Sequence, residues 1–172
     1  LREGVRFHDG TPLAPEDIAF SFERLPNVPN SPGSFASAVR TVTGVAVVDP
    51  RTIRITTREP TPLLDAELTA VLILSRRLHE TATTADFNAG RAMIGTGAYR
   101  FVGYEQGSRF EAARNPDFWG GPQPWEQVRM RFVPNAASRV AALLAGDVDL
   151  IDAVPTQDVA RLAADSRLAV FT

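Results

Sequence analysis

Residues 1–25, LREGVRFHDGTPLAPEDIAFSFERL, decide how the rest of the chain is read. Val5 and Phe7 alternate with Arg6 and His8, the two-residue period of a half-buried strand. Asp9-Gly10 breaks that strand, because glycine accepts positive φ at no steric cost. Pro15 suits a first helical position, where its missing N–H is not needed. Glu16 and Asp17 set negative charge against the helix dipole in the first turn. Ile18, Phe22 and Leu25 recur at helical spacing and give the helix one apolar face. The stretch therefore predicts a strand, a tight turn and a helix in quick succession.

Three further runs stand in order behind it: Gly95-Thr96-Gly97-Ala98-Tyr99-Arg100, then Arg114-Asn115-Pro116-Asp117-Phe118-Trp119, then Ala145-Gly146-Asp147-Val148-Asp149-Leu150. Together with the opening run from Leu1 to Leu13, Glu16-Asp17 and Phe20 to Leu25, they resemble the family 5 extracellular solute-binding proteins. These are the oligopeptide-, dipeptide- and nickel-binding subunits of bacterial ABC importers. The resemblance covers nearly the whole chain. It implies a mixed α/β fold of the type II periplasmic-binding-protein kind, present in part. Residues 1–89 would form a small β-rich sub-domain, and residues 90–172 part of the first α/β lobe. One departure is Ala14, where the family more often carries Ser or Thr; losing a capping hydroxyl costs roughly 1 kcal/mol.

The bulk properties exclude several classes. The 172 residues suffice for one sizeable domain or two small ones, and the apolar fraction of 44% is that of an ordinary globular protein. A formal charge of -2 gives no basic field, so nucleic-acid binding is not expected. Every basic residue other than the two histidines is arginine, a planar fork suited to carboxylates. With no cysteine, disulfides, thiolate metal sites and cysteine nucleophiles are ruled out. No apolar run reaches membrane-spanning length. The chain has no initiator Met, and it opens and closes inside strand patterns. We therefore expect a piece of a larger protein, with the family's second lobe outside these residues.

Taken in order, residues 26–32 (PNVPNSP) end the first helix in a loop. Residues 34–40 predict a short helix with Phe35 and Val39 on one side. Residues 42–48 and 52–57, rich in β-branched side chains and split by Asp49-Pro50-Arg51, predict an antiparallel hairpin with Ile53 and Ile55 on one face. Leu63, Leu64 and Leu68 fit a short helix. Residues 71–74 read as an interior strand, residues 81–88 as a polar surface loop. Residues 99–104 and 109–113 pair across Glu105-Gln106-Gly107-Ser108. Phe118, Trp119 and Trp125 form an aromatic group suited to plugging a sheet or stacking on a ligand. Residues 128–132 predict a strand, Asn135 a cap for a helix over 136–145, and Gly146 its left-handed end. With Val148, Leu150 and Ile151 as the next strand, this would be a parallel βαβ unit. Thr156 would cap a further helix over 157–164, before a last strand at 168–172.

No residue set supports catalysis. Asp147, Asp149 and Asp152 are the obvious acid cluster, but Asp152 is out of phase and no histidine lies near it; a solvated strand end is the simpler reading. There is no Gly-x-Ser-x-Gly elbow. We expect no enzyme activity, cofactor or metal. Arg76 and Arg77, at the end of the expected interior strand, could receive a ligand carboxylate through paired hydrogen bonds, or stand solvated at a helix start. The resemblance places this segment near the family's ligand cleft, and Phe35 on the loop-helix region facing it. Arg76, Arg77 and Phe35 are thus the candidate ligand-binding residues. The implied function is capture of peptides or a related small solute, outside the membrane, for permease subunits of an ABC importer, by a monomer tied to the membrane through the importer or a lipid anchor. The alternative is the solute-sensing domain of a transcription regulator.

Overall fold

The computed structural model describes residues 1–28 and 35–171. The expected loop at 26–32 and the start of the helix at 34 lie partly outside the described residues. The chain divides into two compact units, Leu1–Tyr104 with Glu111–Arg129 and Glu105–Phe110 with Met130–Thr172.

In the first unit, α1 runs Pro15–Arg24 with Pro15 at its first position, as its sequence dictates. The opening strand is shorter than its alternation suggested. Val5 and Phe7 are buried, but they flank an isolated bridge between Arg6 and Pro12. Phe7 N–H donates to Thr11 O at 2.8 Å and Leu13 N–H to Val5 O at 2.9 Å. Pro12 has no N–H to extend the ladder. A 3-10 turn, Leu25–Asn27, follows α1, and another, Ala36–Val39, precedes the hairpin.

The hairpin forms as read: β1 (Val42–Asp49) pairs antiparallel with β2 (Thr52–Thr57). Ile53 and Ile55 turn inward and join Val42 and Val45 against a core of Ile18, Phe22 and Val71. Burying each such side chain stabilises by about 1.5–3 kcal/mol. The helix α2 (Leu64–Leu68) adds Leu68 to this core.

Three expectations in this unit are corrected. Residues 71–74 are not a buried strand: Val71 is buried, but Leu72 is 77% exposed. The run is apolar without being interior, because only Val71 and Ile73 reach the core of α1 and the hairpin. Arg76 and Arg77 therefore do not end a strand; they open a short helix, α3 (Arg76–His79). Residues 81–88 are not all loop, since α4 covers Thr84–Asn88. Thr83 and Asp86 cap it reciprocally: Thr83 N–H donates to Asp86 at 2.9 Å and Asp86 N–H to Thr83 Oγ1 at 3.3 Å.

Strands β3 (Tyr99–Glu105), β4 (Arg109–Arg114) and β5 (Gln127–Arg131) form a sheet in that order. The bonds Arg114 N–H to Glu126 O and Phe132 N–H to Ser108 O fix an antiparallel β4–β5 register.

In the second unit, α5 (Ala136–Ala145) is capped by the Asn135 side chain, which accepts from Ser138 N–H at 2.9 Å. Gly146 ends it at φ 80, and Asp147 N–H reaches back to Ala142 O. Val140 and Leu162, the latter on α6 (Thr156–Ala163), are buried. Pro155, not Thr156, stands at the cap of α6. The expected strands at 148–151 and 168–172 do not form among the described residues, so neither does the βαβ unit. Leu150 is 77% exposed. A strand needs a neighbour for its N–H and C=O groups, and no described strand lies beside these segments.

Candidate functional site

The segment bearing the candidate arginines is held by α1. Asp17, buried, accepts from Ala14 N–H at 2.8 Å through one oxygen and from Arg76 N–H at 2.7 Å through the other. One carboxylate thus serves the N-termini of both α1 and α3, the favourable place for an anion. Ser21, one turn along, donates to Asp17 O at 2.6 Å and accepts from Leu74 N–H at 2.8 Å. The two bonds to the Asp17 carboxylate are worth about 1.5–3 kcal/mol each and the neutral Ser21 bonds about 0.5–1.5. Asp17 and Ser21 thereby fix residues 74–76 against the first helix. Sequence reading gave Asp17 a role in its own helix only; its second partner lies fifty-nine residues away.

Both arginines point polar ends to solvent, and both are paired. Arg77 donates to Asp9 at 2.7 Å, and Arg76 donates to Glu80 one turn on at 3.2 Å. Asp9 also accepts from Thr11 Oγ1 at 2.6 Å and from Thr11 N–H at 3.0 Å. Partial burial pushes the Asp9 carboxyl up, but the Thr11 bonds and the Arg77 guanidinium prevail and hold it below its ordinary value. Exposed pairs of this type are worth roughly 0–1 kcal/mol, so an incoming carboxylate could replace either partner at small cost. Phe35, 51% exposed, stands before the 3-10 turn Ala36–Val39.

The glycine run at 95–97 is a knot. His8 Nδ1 accepts from Gly95 N–H at 3.3 Å while its Nε2 lies 3.0 Å from Gly97 O. Asn115, buried, donates to the same Gly97 O at 3.0 Å and accepts from Arg100. Trp119 Nε1 donates to Thr96 O at 3.1 Å, and the Arg2 guanidinium lies 4.6 Å from the centre of its ring. Residues from three of the runs that carried the sequence resemblance, the opening run, 95–100 and 114–119, therefore meet in space. Trp125 is exposed.

Asp147, Asp149 and Asp152 are all exposed, and no group able to hold a metal ion occurs among the described residues. No helix among the described residues is long and apolar enough to cross a membrane. His79, unremarkable in sequence, is fully buried. Its Nδ1 lies 2.8 Å from Ser75 O and its Nε2 2.9 Å from Ala92 O.

The sequence model of the bacterial extracellular solute-binding proteins, family 5, middle region, matches residues 1–172. The chain belongs to this family. A Brucella ovis protein named as an ABC transporter peptide-binding protein is 28% identical to it, over 97% of this chain and 32% of the relative. Heme-binding protein A of Haemophilus influenzae is 30% identical, over 99% of this chain and 35% of its own length. The family 5 chain thus spans about a third of the length of these relatives. The crystal structure of NikZ from Campylobacter jejuni, in complex with Ni(L-His), matches with a TM-score of 0.82 at 26% identity, over 96% of this chain and 33% of NikZ. The mixed α/β fold is accordingly that of type II periplasmic binding proteins, as the resemblance implied.

Proposed function

We infer that this chain is part of the solute-binding component of an ABC-type importer, which captures peptides or a related small solute outside the membrane and passes it to permease subunits. The observation that carries this reading is the family 5 match along all 172 residues, supported by the NikZ-like fold. Named relatives that bind peptide and heme bracket the solute chemistry. In this reading residues 1–89 make up the small β-rich sub-domain and residues 90–172 part of the first α/β lobe. The protein acts as a monomer by reversible binding, without catalysis, in the periplasm or outside the cell, held to the membrane by the importer or a lipid anchor.

Arg76, Arg77 and Phe35 contribute to the ligand site. The two guanidiniums present planar donors to a peptide carboxylate, exchanging Glu80 and Asp9 for it, and Phe35 offers an exposed ring for an apolar side chain. Peptide backbones are gripped through main-chain hydrogen bonds, with selectivity left to roomy side-chain pockets. The test is uptake of labelled short peptides by the source cells with and without the gene. Loss of uptake, restored by the intact gene, is the expected result; unchanged uptake of every peptide tested, with altered transcription instead, would replace import by sensing.

A further inference from the structure

Arginine is the only strong base in this chain, and most of the arginines among the described residues hold a carboxylate. Others are used differently: Arg2 and Arg24 lie over aromatic rings, while Arg6 and Arg139 donate to carbonyls. Like those of Arg54 and Arg131, the side chains of Arg40 and Arg58 hold neither kind of partner among the described residues. Arg40 and Arg58 converge on one surface pocket of about 260 Å³, completed by Thr41 and Glu59.

The pocket sits at the open end of the hairpin. Arg40 precedes β1 and Arg58 follows β2, and Arg58 N–H donates to Thr41 O at 3.0 Å, extending the ladder by one bond. Thr41 Oγ1 donates to Glu67 at 3.0 Å and ties this end to α2. The backbone is therefore fixed, while three charged side chains around it hold no ion pair among the described residues. Glu59 stands beside two arginines and forms an ion pair with neither among the described residues. Two exposed arginines lining one pocket give it positive charge that an anion can offset.

We propose that this pocket binds a small acidic amino acid, a ligand with two carboxylates and one ammonium. Its charges mirror the lining: Arg40 and Arg58 each take a carboxylate in fork geometry, and Glu59 takes the ammonium. At about 30 Å³ for each water displaced, the volume suits a ligand of amino-acid size. The site is separate from Arg76 and Arg77 and does not depend on the proposed import function.

The test is equilibrium dialysis of the intact protein with labelled L-glutamate at low salt, with glutarate, which keeps both carboxylates and lacks the ammonium, as competitor. Saturable binding is expected, with R40Q and R58Q each weakening it roughly tenfold or more. E59Q should weaken glutamate and leave glutarate as tight or tighter, since it removes a negative charge beside a dianion. R54Q, which removes an exposed hairpin arginine outside the pocket, should change neither. No binding at millimolar glutamate overturns the proposal. So does equal weakening by R54Q, which would mean diffuse surface charge. Binding lost in R77Q but kept in R40Q would assign glutamate to the proposed ligand cleft and overturn the pocket, leaving the import reading intact.

Discussion

His79 shows what a single side chain can hold. Two carbonyl oxygens, those of Ser75 and Ala92, face its two ring nitrogens in a fully buried position. Its ring stacks on Phe87 at 5.4 Å, so it joins α3 to α4 and to the segment at Ala92. His79→Leu keeps the volume and strips the ring's polar contacts, while Ser75 O and Ala92 O keep the backbone N–H groups of His79 and Ile94. Urea unfolding should show a loss of about 1 kcal/mol. Nothing in the local sequence announces this, because Ser75 is one turn away but Ala92 is placed by the fold. Asp86 behaves differently and was within reach of sequence reading: Thr83-Thr84-Ala85-Asp86 has capping-box spacing. Bonds from the Thr83 hydroxyl and N–H, with the Arg91 guanidinium, hold its carboxyl well below the ordinary 3.8. A depressed native value contributes stability that is complete above the unfolded value near 3.8 and fades as pH falls below it. Asp86→Asn should therefore lower the melting temperature at neutral pH, and the gap to the parent should narrow steadily as the pH falls below the ordinary Asp value.

Among the elements, those with complete local signals formed where the residues indicated. Pro15 opened α1, Asn135 and Gly146 bounded α5, and Asp49-Pro50-Arg51 turned the hairpin. Elements that depend on distant chain did not. The runs at 71–74 and 148–151 carry the apolar content of strands, but a strand requires a partner, and neither run has one among the described residues. Two glycines separate local from tertiary demand. Gly146 has φ 80 with open space where a Cβ would stand, so Gly146→Ala costs only its backbone strain, about 1 kcal/mol. Gly90 has φ 78, and a Cβ there would land on the Phe101 ring. Gly90→Ala should lose clearly more stability than Gly146→Ala in the same chemical denaturation series. Equal losses would mean that the ring moves aside freely.

For the whole molecule, the test of the ligand assignment is whether Arg77 serves solute or scaffold. Its pair with Asp9 is exposed on the arginine side and worth at most about 1 kcal/mol. Arg77→Gln should thus leave the melting temperature of the intact protein nearly unchanged while weakening peptide binding about tenfold in calorimetric titration. A large stability loss with unchanged affinity would make Arg77 a brace and remove it from the site. What the sequence determined unaided was the family, the mixed α/β class, the capped helices and the hairpin, since each rests on short-range backbone preferences and on motifs kept in order along the chain. What only the tertiary structure decided was which charges are spoken for. Asp17 bridges two helix starts, His8 and Asn115 share one carbonyl, and Arg40 and Arg58 hold no carboxylate among the described residues though Glu59 lines the same pocket. Pairing depends on distance in space, which falls off within a few ångströms, and residues tens of positions apart in the chain carry no record of that distance.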